Sequence, residues 1–384
     1  MKKLLAVSVL FALLTGAAFA QVAFSGGIET GVRMQFGGPE GAEIDPVIFE
    51  TRNFDGTIRI NLNGSYTHSS GTAGGNFQLR GQNTNVLSAG RNAWLWYQPM
   101  DMLRIHVGLL DGDGFGTPSR VDTSNGVGGG SGIHFRLTPM DGVRVGFTIN
   151  PNGNTELMDI RFGLVYAMDG VFRAVANAAI LAVGSDNVTP DPTSTSATAR
   201  AGLGGMNFGF GVNILALADA GVTELSVDVG IAGLGFDNYD PNISIGQRLN
   251  FKLGDLTLTE QLLVMLAQKD PIDLPLAIRA SIVGAYKIDT ITAGLGVGFV
   301  FNGLPNGDPR AWDGTGIVSV NATSSDPYYT SRAEKNMGLV INPYVTFPLG
   351  GPNVTIGYGA NVAMPDGGDT YMIHTVYATF GINF

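Results

Sequence analysis

No cysteine occurs among the 384 residues. That excludes a disulfide framework, and it excludes a lipid anchor, which needs a Cys at the cleavage point of an exported chain. Charge is also scarce: Asp, Glu, Lys and Arg make up 14% of the sequence, with a formal net charge of −10. An acidic balance argues against a nucleic-acid partner, which would need a basic footprint. Scarce charge together with 56 glycines and 9% aromatics does not suit intrinsic disorder, where charge is high and aromatics are few.

Catalytic signatures are missing as well. No G-x-S-x-G elbow and no Walker A sequence is present, and His68, His106, His134 and His374 lack zinc-ligand spacing. Neither an enzyme nor a cofactor is expected. Helical spans are missing too. The uncharged stretches Ala201–Ala218 and Thr290–Gly307 place Gly209 and Gly211, and Gly294, Gly296 and Gly298, at two-residue spacing, which is costly inside a helix.

What is present begins with an export signal. Met1-Lys2-Lys3 is a basic start, Leu4–Leu14 is an apolar run too short to span a bilayer, and Ala18-Phe19-Ala20 is a small-x-small cleavage site. Residues 1–20 are expected to be a signal peptide, leaving 364 residues from Gln21, and 21–384 a single domain. Without the signal the chain has 20 basic and 32 acidic residues, a net charge of −12.

Period two dominates the rest. In Val22–Phe36 the even positions are mostly apolar, while the odd ones include Ser25, Glu29, Arg33 and Gln35; Phe54–Tyr66 repeats the pattern. Such alternation sets one face of a strand in an apolar medium and the other in a polar one. Strands are expected near 22–36, 51–67, 75–82, 91–98, 102–110, 131–138, 143–150, 158–166, 171–181, 197–216, 223–233, 242–252, 255–267, 276–286, 291–301, 337–347, 354–363 and 370–384. The count is about 18, with 16 left open by the third, fourth and tenth spans. Many run to nine or more residues, the length a tilted strand needs to cross a bilayer core.

Connections alternate in length. Short ones carry turn chemistry, as in Pro99-Met-Asp101, Pro139-Met-Asp-Gly142, Met168-Asp-Gly170, Leu253-Gly-Asp255 and Pro348–Asn353. Between them lie longer polar stretches at 37–50, 111–130, 182–196 and 302–336. Short turns on one rim and long loops on the other are the layout of an outer-membrane barrel.

The signal ending Ala18-Phe-Ala20, the alternating strands and the terminal row Phe380, Ile382, Phe384 carry a resemblance. The chain resembles porin-like outer-membrane β-barrels of Gram-negative bacteria, in the general-porin architecture. Its Trp96–Arg104 hairpin is similar to turns in several porin families, those of spirochaetes among them. The resemblance implies an all-β fold, a transmembrane antiparallel up-and-down β-barrel in the bacterial outer membrane. It implies a passive diffusion channel for small hydrophilic solutes or ions, with outer-membrane lipid as its surroundings and a homo-oligomer (trimer) as an option. Phe380, Ile382 and Phe384 would then be the assembly signal read by the barrel-assembly machinery. Two alternatives stay open: a surface adhesin or structural barrel acting through its loops, chiefly 302–336, and a channel selective for sugars or apolar solutes.

Sorting strands by phase puts Arg33, Arg59, Arg80, Arg104, His106, Arg136, Arg144, Arg161, Arg173, Arg248 and Arg279 in the polar row. Arginine at a lipid midplane costs about 2–4 kcal/mol, so a barrel must turn these residues inward whatever else they do. Arg33, Arg59, Arg80 and Arg104, on early strands, would form a basic ladder on the channel wall. By the strand count, Asp111-Gly-Asp-Gly-Phe-Gly-Thr-Pro-Ser-Arg-Val-Asp122 opens the third external loop, 111–130. By the resemblance that loop folds into the lumen, with Asp111, Asp113 and Asp122 as an acidic edge; opposed charges create a transverse field. In an EF-hand-like frame Asp111, Asp113, Gly116 and Asp122 fall at positions 1, 3, 6 and 12, but Phe115 takes a ligand position and Glu is missing at the last, so no metal is expected. Trp94 and Trp96 share a face next to a turn, which favours the aromatic girdle over a stacking track for sugars. Two polar residues stand in apolar rows. His374 fits headgroup level or a protomer contact, and Glu260 would turn inward if a bulge lay between it and Gln261.

Overall fold

The computed structural model describes residues 20–37, 59–82, 87–111, 114–116, 127–151, 158–183, 206–234, 242–266, 276–301, 337–365 and 367–383. Among them are 18 strands in one sheet. The first nine are β1 (Ala20–Gly37), β2 (Arg59–His68), β3 (Ala73–Gln82), β4 (Leu87–Met100), β5 (Leu103–Asp111), β6 (Gly129–Met140), β7 (Val143–Pro151), β8 (Met158–Met168) and β9 (Phe172–Val183). The others are β10 (Met206–Ile214), β11 (Val222–Leu234), β12 (Asn242–Leu253), β13 (Leu256–Leu266), β14 (Leu276–Ile288), β15 (Ile291–Phe301), β16 (Met337–Pro348), β17 (Asn353–Met364) and β18 (Tyr371–Asn383).

Each strand pairs antiparallel with its neighbours in the chain. β1 also pairs with β18, from Gly27 opposite Asn383 to Gly37 opposite Ile373. The sheet thereby closes and leaves no open edge. The seam is staggered: β1 uses Ala20–Glu29 against β2 and Gly27–Gly37 against β18, the offset that closing tilted strands requires.

All the expected strands are found in order, and the two uncharged glycine-rich stretches contain β10 and β15. The expected second and tenth strands start earlier, at 51 and 197; those extra residues lie outside the described ones, as do the signal peptide through residue 19 and loop 302–336. Tight turns join β2–β3, β4–β5, β6–β7, β8–β9, β12–β13, β14–β15 and β16–β17, and a longer connection with a 3-10 helix at Ala218–Ala220 joins β10–β11; these share one rim with the start of β1 and the end of β18. At Gly254-Asp255 the turn places Gly254 at φ 59° between directly paired Leu253 and Leu256, the geometry of a two-residue hairpin with glycine first.

The two faces differ as the alternation requires. Outward rows are apolar: Leu95, Val107, Phe162, Phe210, Ile282 and Leu295 are all exposed, which suits a wall that meets hydrocarbon. Tyr66, Tyr97, Tyr166 and Tyr286 lie on these rows within a few residues of the tight turns, forming an aromatic girdle at that rim. Inward rows are polar, with Asn342, Asn361, Thr375, Ser281 and Gln261 buried.

Glu260 departs from expectation. The pairing runs without a bulge through Glu260 and Gln261 on both sides of β13. Glu260 therefore keeps the outward phase, opposite exposed Ile282, and Gln261 takes the inner side.

Candidate functional site

The inner wall of β5–β9 receives the third external loop, between β5 and β6, of which Gly114–Gly116 and Val127–Gly128 are described. The Phe115 ring is 0% exposed and packs with Val127, Val165 and Val175. Its socket exists because two cross-strand partners, Gly146 on β7 and Gly163 on β8, lack side chains. A Cβ at either would stand 2.7 or 2.5 Å from the ring. His134 meets the ring edge-on at 5.8 Å, and the Arg144 guanidinium lies 5.7 Å from its centre.

Backbone hydrogen bonds complete the latch. Asn177 Nδ2 donates to the Phe115 carbonyl at 2.9 Å, and Arg173 Nη2 donates to the Gly114 carbonyl. At the far end of the loop, the Gly128 N–H donates to Thr148 Oγ1 at 2.8 Å, and the same hydroxyl bonds His134 Nδ1 at 2.9 Å. The Arg173 bond is exposed, whereas those of Asn177, Gly128 and His134 are buried, so each of these groups that loses its partner pays a desolvation cost. The loop is held against the inner wall at both ends.

Beside the latch runs an aromatic and basic row. His106 stacks on Trp94 at 4.7 Å and meets His134 edge-on at 5.5 Å. Arg104 lies 4.3 Å above the Trp96 ring and donates twice to Gln98 Oε1, at 3.1 and 2.8 Å. Trp94 and Trp96 therefore face the lumen and not the girdle. The girdle position goes to Tyr97, because the hairpin register sets Trp96 opposite inward His106.

Arg104 is the direct cross-strand partner of Arg136. Like charges so placed are destabilising, and a wall that keeps them gains an electropositive patch. Arg144 and Asp228 lie within Coulombic reach of Arg173. The inner carboxylates Asp159 and Glu224 are already engaged by Arg161 at 2.8 Å and Arg248 at 3.3 Å. Among the described residues the inner wall thus carries a surplus of positive charge, concentrated on β5, β6, β7 and β9.

The expected ladder is not one cluster. Arg33, Arg59 and Arg80 lie near the long-loop ends of β1, β2 and β3, whereas Arg104 is the second residue of β5, at the tight-turn rim. Arg59 is paired with Glu29 and Gln82, and Arg80 with Asn61 and Ser88. Asp111 ends β5 opposite Gly129; Asp113 and Asp122 lie outside the described residues. Phe115, which breaks the calcium-loop frame, is the anchor of the loop. On β18, Phe380 and Ile382 are exposed on the outward row, and Phe384 lies outside the described residues. His374 is also outward. Its ring is sandwiched between Phe36 and Tyr358, with Tyr358 Oη hydrogen-bonded to its Nδ1.

No family model and no curated protein matches the sequence. Solved structures match it along its length. OpdL of Pseudomonas aeruginosa superposes with a TM-score of 0.55 at 7% identity, over 95% of this chain and 99% of that one. The outer membrane protein OprD of the same species gives 0.50 at 11% identity, over 94% of each chain. The outer membrane channel DcaP of Acinetobacter baumannii gives 0.50 at 14% identity, over 96% and 98%. At these identities the likeness establishes the fold: this chain is an up-and-down antiparallel β-barrel of the kind found in these bacterial outer-membrane proteins.

Proposed function

We propose that the protein resides in the outer membrane as a passive, water-filled channel for small hydrophilic solutes, and that its constriction favours anions. The latch carries this reading. Phe115 and its backbone anchors draw the third loop onto the lumen wall beside Arg144 and Arg173, narrowing the passage where positive charge is concentrated. Support comes from the apolar outer wall, from the shared fold with an outer membrane channel, and from strand number, since eight strands would be filled by side chains and porin-sized walls leave water inside. A fixed positive field in a low-dielectric passage raises the local concentration of anions and repels cations. Solutes move down their gradients, so the protein makes no covalent bond and needs no cofactor.

Purified protein in planar bilayers under a KCl gradient tests this. Stepwise conductance with a reversal potential displaced toward that of chloride is expected. A closed membrane would refute the channel and favour an adhesin or structural barrel; cation selectivity would refute the role given to the arginines.

A further inference from the structure

The outward row of β13 reads Leu256, Leu258, Glu260, Leu262, Val264, and β12 sets Gln247 between Ile245 and Leu249. Gln247 Nε2 donates to Glu260 Oε2 at 3.2 Å across the two strands. Glu260 is the fifth residue of β13, which puts it roughly 10 Å above the tight-turn rim for a strand rising 3.4 Å per residue at about 40° tilt. The pair therefore sits within the apolar band, not at its edge. The amide oxygen, the second amide hydrogen and the other carboxyl oxygen are left facing hydrocarbon, which offers nothing to bond them.

The wall next to the pair is concave. A trough of about 600 Å³ runs over β7–β11, floored by Ala176, Ala178 and Gly209 and flanked by Phe162, Phe210 and Val229. Val227, the next outward residue after Val229 on β11, is directly opposite Gln247, so trough and pair form one surface. Acyl chains can fill the trough but cannot bond an amide or a carboxyl. A second copy of this chain can do both. Small residues let walls approach closely in a membrane, and the second amide hydrogen of Gln247 can donate to a carboxyl oxygen of Glu260 on another copy. The same pair brought up across a two-fold axis satisfies these two groups, Glu260 of each copy meeting Gln247 of the other.

We infer that the β12–β13 outer wall, with the adjoining trough, is the surface through which two copies of this protein associate in the membrane. The inference rests on the outer-membrane reading, because in water the same pair would simply be solvated.

The chain has no native cysteine, which makes the test direct. Leu262→Cys is placed beside the pair and Val107→Cys on the outward row of distant β5, and each is oxidised in intact outer membranes. A disulfide between two copies of one position forms only where that position lies near a two-fold axis. A disulfide-linked dimer is expected for Leu262→Cys and not for Val107→Cys. Adding Glu260→Leu and Gln247→Leu should lower the dimer yield about fivefold, as befits the loss of two hydrogen bonds within a membrane, while the barrel still inserts and shows heat-dependent gel mobility. Inserted Leu262→Cys protein that cross-links no better than Val107→Cys overturns the surface, and so does a yield indifferent to the leucine substitutions. Protein missing from the outer-membrane fraction overturns the membrane reading and this surface with it.

Discussion

Truncating Phe115 to alanine should free the third loop from the lumen wall without damaging the barrel. Removing a fully buried phenylalanine costs about 3–5 kcal/mol in a protein core. Here the loss falls on loop docking, because no strand ladder passes through Phe115. Even about 3 kcal/mol lowers the ratio of docked to undocked loop more than about 100-fold, at a factor of ten per 1.4 kcal/mol. The bonds from Asn177 and Arg173 to the loop backbone return about 0.5–3 kcal/mol each, so the loop would leave the wall for a large part of the time. Single-channel recording should show a larger and noisier conductance. Gly163→Ala approaches the same contact from the wall: its Cβ would stand 2.5 Å from Phe115 Cδ1, while alanine is no worse than glycine in a strand. It should reproduce the noise with normal heat-dependent mobility. Two folded variants with the conductance and noise of the unmodified protein would refute the latch.

Asn177→Ala leaves the buried Phe115 carbonyl without its donor, a cost of about 1–3 kcal/mol, and current noise should fall between that of the unmodified protein and that of Phe115→Ala. Arg104→Glu with Arg136→Glu reverses the directly paired charges on β5 and β6; the reversal potential should move toward that of potassium, with single-channel size little changed. Tyr358→Phe removes the hydroxyl bonded to His374 and should lower unfolding stability in liposomes by no more than about 1.7 kcal/mol, the upper range for such bonds in membranes. Deletion of Phe384 should reduce the amount of assembled barrel in cells, read by heat-dependent mobility, and normal insertion would remove its role as an assembly signal.

The strands were legible because a wall with two different solvents imposes period two on every segment, and the tight turns carry Gly, Asp and Pro at fixed places. The faces were harder where both rows were apolar. Trp94 and Trp96 alternate with Leu95 and Tyr97, so composition alone does not say which pair meets water. Counting across the Met100–Leu103 hairpin would set His106 opposite Tyr97; a register shift between Tyr97 and Met100 brings Trp96 opposite His106 instead, and no local pattern displays it. Glu260 misleads for the opposite reason: a carboxylate in an apolar row invites a bulge, but the ladder absorbs it through Gln247 on the next strand, a cross-strand contact that no local pattern displays. Arg104 stands at the rim opposite Arg33, Arg59 and Arg80 because strand ends near in sequence can lie on opposite rims. Phe115 was hidden by its surroundings, since a lone aromatic among Gly and Asp reads as an interruption of a polar loop. Its signal lies elsewhere, in two glycines that the register makes neighbours.

Those glycines belong to a device used around the barrel. Gly294 is directly paired with Tyr344, Gly357 with Tyr377, Gly74 with Trp96 and Gly64 with Phe77. In each case a Cβ on the glycine would fall within 2.7 Å of the partner's ring, so the ring lies flat over the bare backbone of its neighbour. This covers a strand glycine with apolar surface and offsets its weak packing. Gly146 and Gly163 are different: they pair with one another, so neither strand brings a ring to cover them. The wall is left with a bare patch of backbone, and the third loop supplies the missing aromatic from outside the ladder. A strand-borne ring is fixed by the barrel's own hydrogen bonds, whereas Phe115 is held by docking alone. Among the glycine–aromatic contacts described, the one made by Phe115 can therefore be lost without disturbing a strand pair.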